Sequence, residues 1–210
     1  MDLICIDLDN TLIDSDKPHI QAYNWAFKKN NLKQVSSKKL KKLFGLVDYE
    51  IIKTIYPQLS KKEVEMVIKD HHKIFFKETR IHLKPFKGVK ETLRKLKKKY
   101  KIVLISNCDH EEIIISLKTA KLDRELFDAF IGHDDVNRPK PYPDEILKAE
   151  KIFHHKARYI IGDSIYDIIA GKRARVKTIA ISTGNHSIKE LKKEKPDFLF
   201  KRFKDVLKVL

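Results

Sequence analysis

An apolar run near the start of the chain, Leu3-Ile4-Cys5-Ile6, ends in two acids and a hydroxyl, Asp7, Asp9 and Thr11. Carboxylates this close repel each other unless a cation or a shared proton offsets them. Three more polar groups follow later in the chain. They are Ser106-Asn107 after the apolar run Ile102 to Ile105, Lys140 in a proline-punctuated loop, and Asp163 with Asp167 after Tyr159 to Ile161. Together they suit phosphoryl transfer, which needs a nucleophile, charge neutralisation and a proton handler. Asp7 is placed to attack phosphorus and form an acyl phosphate. Asp9 can protonate the leaving oxygen and then activate water. Asp7 and Asp163 offer hard oxygen ligands and the Asp9 carbonyl a third, a set that suits Mg²⁺. The loop from Asp7 through Asn10 to Thr11, with Ser106, Asn107 and Lys140, can bind phosphate oxygens. Asp167 lies one helical turn after Asp163 and can orient a metal-bound water.

These groups must be carried to one place. The apolar runs read as buried strands that release polar residues at their C-terminal ends, as parallel sheets do at a ligand crevice. Strands are expected at Leu3–Ile6, Ile102–Ile105, Phe127–Gly132, Tyr159–Ile161 and Thr178–Ile181, with a weaker one at Phe198–Phe200. Helical patterns lie between them at Gly88–Lys99, from Asp109 through Leu117, at Asp144–Phe153 and at Ile165–Ala174. This alternation predicts an α/β fold, a doubly wound parallel sheet with right-handed crossovers. From about Asp16 to Lys84 no convincing strand occurs and helical signals dominate. Asp16 is a candidate N-cap with Pro18 in the first turn, and Ile20, Tyr23 and Phe27 share a face. Ser36 or Ser37 opens a second short helix and Asp48 a third, with Ile51, Ile52 and Ile55. Ser60 with Glu63, and Asp109 with Glu112, have capping-box spacing. In the helix after Ser60, His71 falls among Val64, Val67, Ile68, Ile74 and Phe75 as part of an apolar face. The expected division is an α/β body of residues 1–15 and 85–210 with a small all-helical insert at 16–84.

The chain resembles the haloacid dehalogenase superfamily of aspartate-nucleophile phosphatases. The resemblance rests on Asp7-Leu8-Asp9-Asn10-Thr11-Leu12, Ser106-Asn107, Arg138-Pro139-Lys140-Pro141-Tyr142-Pro143-Asp144 and Gly162-Asp163-Ser164-Ile165-Tyr166-Asp167, in the family's order. It implies a Rossmann-like core with a helical cap, and phosphoglycolate-phosphatase-like enzymes and pyrophosphatases as nearest relatives. Asn10 stands where Gly is commoner, at little cost because Asn tolerates unusual backbone angles. Arg175 also replaces a usual Gly. Asp9 separates the chain from the dehalogenase branch, and Asn10-Thr11 is less like the Gly-Val of sugar phosphomutases. The leading expectation is a Mg²⁺-dependent phosphomonoester phosphatase acting on a small, phosphoglycolate-like metabolite through an aspartyl-phosphate. A phosphomutase or inorganic pyrophosphatase of the same family is the alternative.

Composition sets the remaining bounds. The 210 residues carry 45 Lys+Arg against 29 Asp+Glu, a net charge of +16. Such a field attracts anions, and a basic nucleic-acid-binding protein is the non-enzyme alternative. The lysines are dispersed over predicted helix faces, however, without interleaved aromatics to stack bases, so nucleic acid is not the expected partner. Lys38, Lys39, Lys41 and Lys42 flank Phe44-Gly45-Leu46 and can meet a second anionic group of the substrate, although solvated surface suits most of them better. No apolar stretch is long enough to span a bilayer, and the strand-like start leaves no signal peptide, so a cytoplasmic protein is expected. Two cysteines give no disulfide framework. Cys5 reads as core, and Cys108 as a weak thiol candidate whose nearest base in sequence is His110.

Overall fold

The computed structural model describes residues 1–210. In chain order the first elements are β1 (Asp2–Asp7), β2 (Ile13–Asp14), α1 (Asp16–Lys29), α2 (Ser37–Lys41), α3 (Asp48–Ile55), α4 (Lys61–Lys77) and β3 (Lys84–Pro85). Next come α5 (Val89–Lys97), β4 (Tyr100–Ile105), α6 (His110–Thr119), β5 (Ala129–Ile131) and α7 (Asp144–Phe153). The chain finishes with β6 (Ala157–Gly162), α8 (Ile165–Ala174), β7 (Lys177–Ile181), α9 (Ile188–Lys193) and β8 (Phe198–Phe200).

Six strands form one parallel sheet in the order β5-β4-β1-β6-β7-β8. Both faces of β1 are buried, and its side chains alternate as the strand period requires. Ile4 and Ile6 pack into a 27-residue core on one face, Leu3 and Cys5 into a 12-residue core on the other. Cys5 is therefore plain core. The chain leaves β1 toward β4 and β5, then returns to build β6, β7 and β8 on the other side. That reversal beside β1 is where an open α/β sheet forms its ligand crevice. Register makes the ends level: Asp7 lies opposite Ile105, Ile105 opposite Ile131, and Ile6 opposite Ile161. The residues that follow each strand thus emerge along one edge.

The four helices α1 to α4 hold a separate 11-residue core that includes Tyr23, Phe27, Leu40, Ile52 and Val64. Where this block meets the sheet, β2 and β3 pair antiparallel, Ile13 with Pro85 and Asp14 with Lys84. This ribbon is absent from the sequence reading because two residues are too few to show a period. Three local expectations also need correction. The first helix is capped by position at Ser15, without a side-chain cap bond. Asp16 instead accepts from Asn10 Nδ2 at 2.9 Å and Asn185 Nδ2 at 2.8 Å. Asp109 caps α6 through the Glu112 amide at 2.7 Å, but no bond returns from the Glu112 carboxylate. β5 starts later than Phe127 because the Asp128 carboxylate takes the Ile102 amide at 2.8 Å and ends the preceding turn beside β4.

The capping box before α4 is complete, with Ser60 and Glu63 bonded in both directions. Ser60→Ala removes the hydroxyl that accepts the Glu63 amide. It should cost about 1 kcal/mol, as N-cap losses do, read as a lowered urea midpoint at unchanged m-value.

Candidate active site

The expected carboxylates meet around one buried ammonium. Lys140 Nζ donates to Asp7 Oδ1 at 2.6 Å and to Asp167 Oδ1 at 2.8 Å. Thr11 Oγ1 lies 3.0 Å from Asp7 Oδ2 and 3.0 Å from Asp163 Oδ1. All five residues are buried. Burial works to discharge Lys140, but Asp167 and Asp7 outweigh it and hold its pKa well above the ordinary lysine value. Burial raises the Asp7 carboxyl to about 7 against the pull of Lys140. Burial, with Asp7 and Asp167 close by, pushes Asp163 well above the carboxylate range.

The residues present fit a hard divalent cation. Oxygens of Asp7, Asp163 and Asp167 lie within 4.8 Å of one another. One ammonium cannot neutralise three carboxylates. The Thr11 hydroxyl has a single proton, so it donates to only one of its two carboxylate neighbours at a time. The loop's backbone bonds use the carbonyls of Leu8 and Ile13 and leave that of Asp9 out of them.

Asp7, Asp9, Asn10, Ser106, Asn107, Lys140 and Asp163 line one cavity. Some residues sit differently from the sequence reading. The Asn10 amide donates to Asp16 and its N–H to the Ile13 carbonyl at 2.7 Å, so neither faces a phosphate. Its φ of 55° explains why Asn is accepted there. The Thr11 hydroxyl holds carboxylates, while its N–H stays outside the loop's backbone bonds. Asp167 is bonded on both oxygens, to Lys140 and, through Oδ2, to the Ser164 N–H at 3.0 Å and hydroxyl at 2.6 Å. Asn107 donates to the Lys140 carbonyl at 2.8 Å and to the Gly45 carbonyl at 2.7 Å. It thereby joins the loop after α2 to the sheet edge. Gly45 has φ +100°, and a Cβ there would stand 2.8 Å from the Tyr166 ring, so glycine is required on both counts.

The Asp9 side chain turns toward a second polar group that the sequence reading did not find. His19 Nε2 lies 3.7 Å from Asp9 Oδ1 and 3.6 Å from Glu112 Oε1. Cys108 donates its thiol proton to Asp9 Oδ2 at 3.1 Å. Burial opposes the Asp9 charge, but His19, Ser15 and Cys108 prevail and hold its carboxyl below the ordinary value. Burial also opposes charge on His19, yet Asp9 and Glu112 raise its pKa to about 9. Burial and the nearby acids push the Cys108 thiol well above its usual value, while His110 pairs with Asp135 at 3.3 Å. The thiol reading of Cys108 is thereby overturned. In sequence Glu112 reads only as half of a capping box, and nothing there ties His19 to Asp9.

The family model of the haloacid dehalogenase-like hydrolases matches residues 4–181. A pyrophosphatase PpaX of Bacillus thuringiensis is 28% identical over 221 positions, covering 99% of this chain and 95% of its own. A predicted phosphoglycolate phosphatase from Haemophilus somnus is similar at a TM-score of 0.86 and 25% identity, with 100% and 97% of the two chains covered. A hydrolase from Pseudomonas syringae superposes at a TM-score of 0.88 with 23% identity over 99% and 97% of the two chains, which shows a common fold.

The raised carboxyls predict a pH-dependent metal effect. A carboxyl whose folded pKa exceeds its unfolded value binds an extra proton when folded, so its contribution to stability falls as pH rises through that window. For Asp7 the window runs from the ordinary carboxyl value of 3.8 up to about 7. Mg²⁺ competes with those protons. The rise in Tm on adding Mg²⁺ should therefore be small at pH 5 and large at pH 8; a shift independent of pH contradicts the assignment.

Proposed function

Because the chain belongs to the haloacid dehalogenase-like hydrolases, we propose that it is a Mg²⁺-dependent phosphomonoester phosphatase working through an aspartyl-phosphate on Asp7. The observation that carries this reading is the buried Asp7–Lys140–Asp167 bridge with Asp163 beside it. Asp7 and Asp163, with the Asp9 carbonyl, are the residues for Mg²⁺. When bound, the ion neutralises phosphate charge that would otherwise repel the attacking carboxylate. Lys140 keeps Asp7 oriented and offers its remaining N–H to a phosphate oxygen. Ser106, buried at the same edge, supplies a hydroxyl to another. An Asp7 oxygen forms the new P–O bond as the ester oxygen departs with the electron pair of the old one.

The departing oxygen needs a proton. Asp9 is ionised at rest, and the proton of the pair sits on His19. In this reading it passes from His19 through Asp9 to the leaving oxygen. Asp9 then accepts a proton from the water that attacks the acyl phosphate, and the acid and base steps share one residue.

Residues 16–84 serve as a cap over a catalytic body made of 1–15 and 85–210. Phe44, Gly45 and Leu46 from the helical block line the cavity. The cavity leaves about 70 Å³ for the centres of water-sized molecules, room for a handful of waters. That suits a phosphate with a small leaving group. Lys38, Lys39 and Lys42 are exposed and Lys41 pairs with Asp16 at 2.6 Å, and none of the four lines the cavity. A small phosphorylated metabolite of the phosphoglycolate kind is the first substrate to test. Inorganic pyrophosphate comes second, on the strength of the pyrophosphatase relatives.

Asp7→Asn should abolish turnover of p-nitrophenyl phosphate while the fold persists; retained turnover contradicts the covalent route. Asp9→Asn should lower kcat by about 10²- to 10⁴-fold, the usual worth of a general acid–base, with KM nearly unchanged. EDTA should stop the wild-type enzyme and Mg²⁺ restore it.

A further inference from the structure

Behind the Asp9 side chain, four potential metal donors converge from both sides of the cavity. Asp48 opens α3, His71 and His72 lie on α4, and Glu112 lies on α6. Donor atoms of Asp48, His71 and His72 lie within 4.8 Å of one another. His71 Nδ1 is 3.6 Å from Asp48 Oδ2, His72 Nε2 is 2.8 Å from that oxygen, and His72 Nε2 is 3.6 Å from Glu112 Oε2. Neighbouring donors around a tetrahedral ion stand about 3.3 Å apart, given metal–ligand bonds of about 2.0–2.1 Å. These three spacings bracket that value, with Glu112 reaching the group at His72 Nε2.

A second observation points to a missing partner. His71 is fully buried, and its Nδ1 has no hydrogen-bond partner. The atom is aimed at Asp48 Oδ2 but lies beyond bonding distance. An orphaned buried ring nitrogen in a cluster otherwise paired is costly unless something binds there.

The outer contacts are those of a ligating set. His71 Nε2 lies 3.4 Å from His19 Nδ1, and His72 Nδ1 lies 3.5 Å from Asp109 Oδ2. The second oxygen of Asp48 accepts from the Tyr23 hydroxyl. Metal-bound histidines are oriented in this way by a carboxylate or another polar group on the far ring nitrogen.

We propose that Asp48, His71 and His72, with Glu112 as the fourth donor, bind a divalent transition-metal ion of the Zn²⁺ class. Imidazole nitrogens with carboxylates select such an ion over Mg²⁺, which prefers the all-oxygen centre at Asp7. Three donors come from the helical block and one from α6, so the ion fastens the block to the sheet side and closes the cavity. The site shares His19 with the proton path to Asp9: an ion on His71 Nδ1 leaves the His71 proton on Nε2, facing His19 Nδ1 at 3.4 Å, so His19 is neutral while the ion is bound.

Co²⁺ is the probe. Chelator-treated full-length protein is first saturated with Mg²⁺ at the oxygen centre, then titrated with Co²⁺. An intense visible band marks tetrahedral Co²⁺, whereas Co²⁺ among carboxylates and waters is octahedral and pale. The wild type should show the band at one ion per chain. His72→Ala and Asp48→Asn should lose it, and Asp163→Asn should keep it. Asp109→Asn should weaken binding by about 10- to 100-fold, as loss of an outer partner does. The Asn amide still caps α6, so this variant serves if truncating an imidazole unfolds the chain, with folding checked by circular dichroism. No band in the wild type, or a band unchanged in folded His72→Ala or in Asp109→Asn, overturns the proposal.

Discussion

The ammonium of Lys140 between Asp7 and Asp167 is the contact on which the sheet edge depends. Two like charges about 4 Å apart cost about 4 kcal/mol at an effective dielectric near 20. A whole domain is stable by only about 5–15 kcal/mol. Three carboxylates cannot share a buried edge without compensation, and Lys140 supplies one charge at 2.6 and 2.8 Å. What it leaves uncompensated shows as the raised carboxyls of Asp7 and Asp163. The same deficit that strains the resting protein makes the site receptive to a divalent ion. The fold creates this situation by register, since β1, β4, β5 and β6 all end at one level.

The charge of the chain is divided between surface and cavity. The surface is strongly basic overall, with a net charge of +16. The cavity is lined by Asp7, Asp9, Asp48, Asp109, Glu112 and Asp163, and Lys140 is its only lysine or arginine. A positive field draws anions toward the protein, while the acidic lining is the part of it that suits a cation. No helix is long and apolar enough to cross a membrane.

The α/β fold was legible because its signals are local. Each buried strand is a short apolar run, and the polar residue that follows is adjacent in sequence. α7, α8 and β8 fall where the pattern puts them. The convergence of Asp7, Ser106 and Asp163 follows from the parallel topology, and Lys140 reaches them from the loop after β5. What sequence hid depends on partners far apart in the chain. His71 reads as one more member of an apolar helix face, and only the fold brings Asp48, Glu112 and His19 to its side. Glu112 reads as half of a capping box, yet its carboxylate is drawn to His19 and His72 instead. Asn10 and Thr11 read as phosphate contacts because the loop's own bonds to Asp16, Asp7 and Asp163 have no local signature. The ribbon of β2 and β3 joins segments some 70 positions apart, Ile13 with Pro85, and is too short to show a period.

The covalent role of Asp7 is the centre of the account, and it can be read chemically. Borohydride reduces an acyl phosphate to the alcohol, which converts a phosphorylated aspartate to homoserine. The enzyme, turning over a phosphate ester with Mg²⁺, is quenched into borohydride and its peptides are sequenced by mass spectrometry. Homoserine at position 7, absent without substrate, is the result the account predicts. Homoserine at another acid, or none during active turnover, contradicts it.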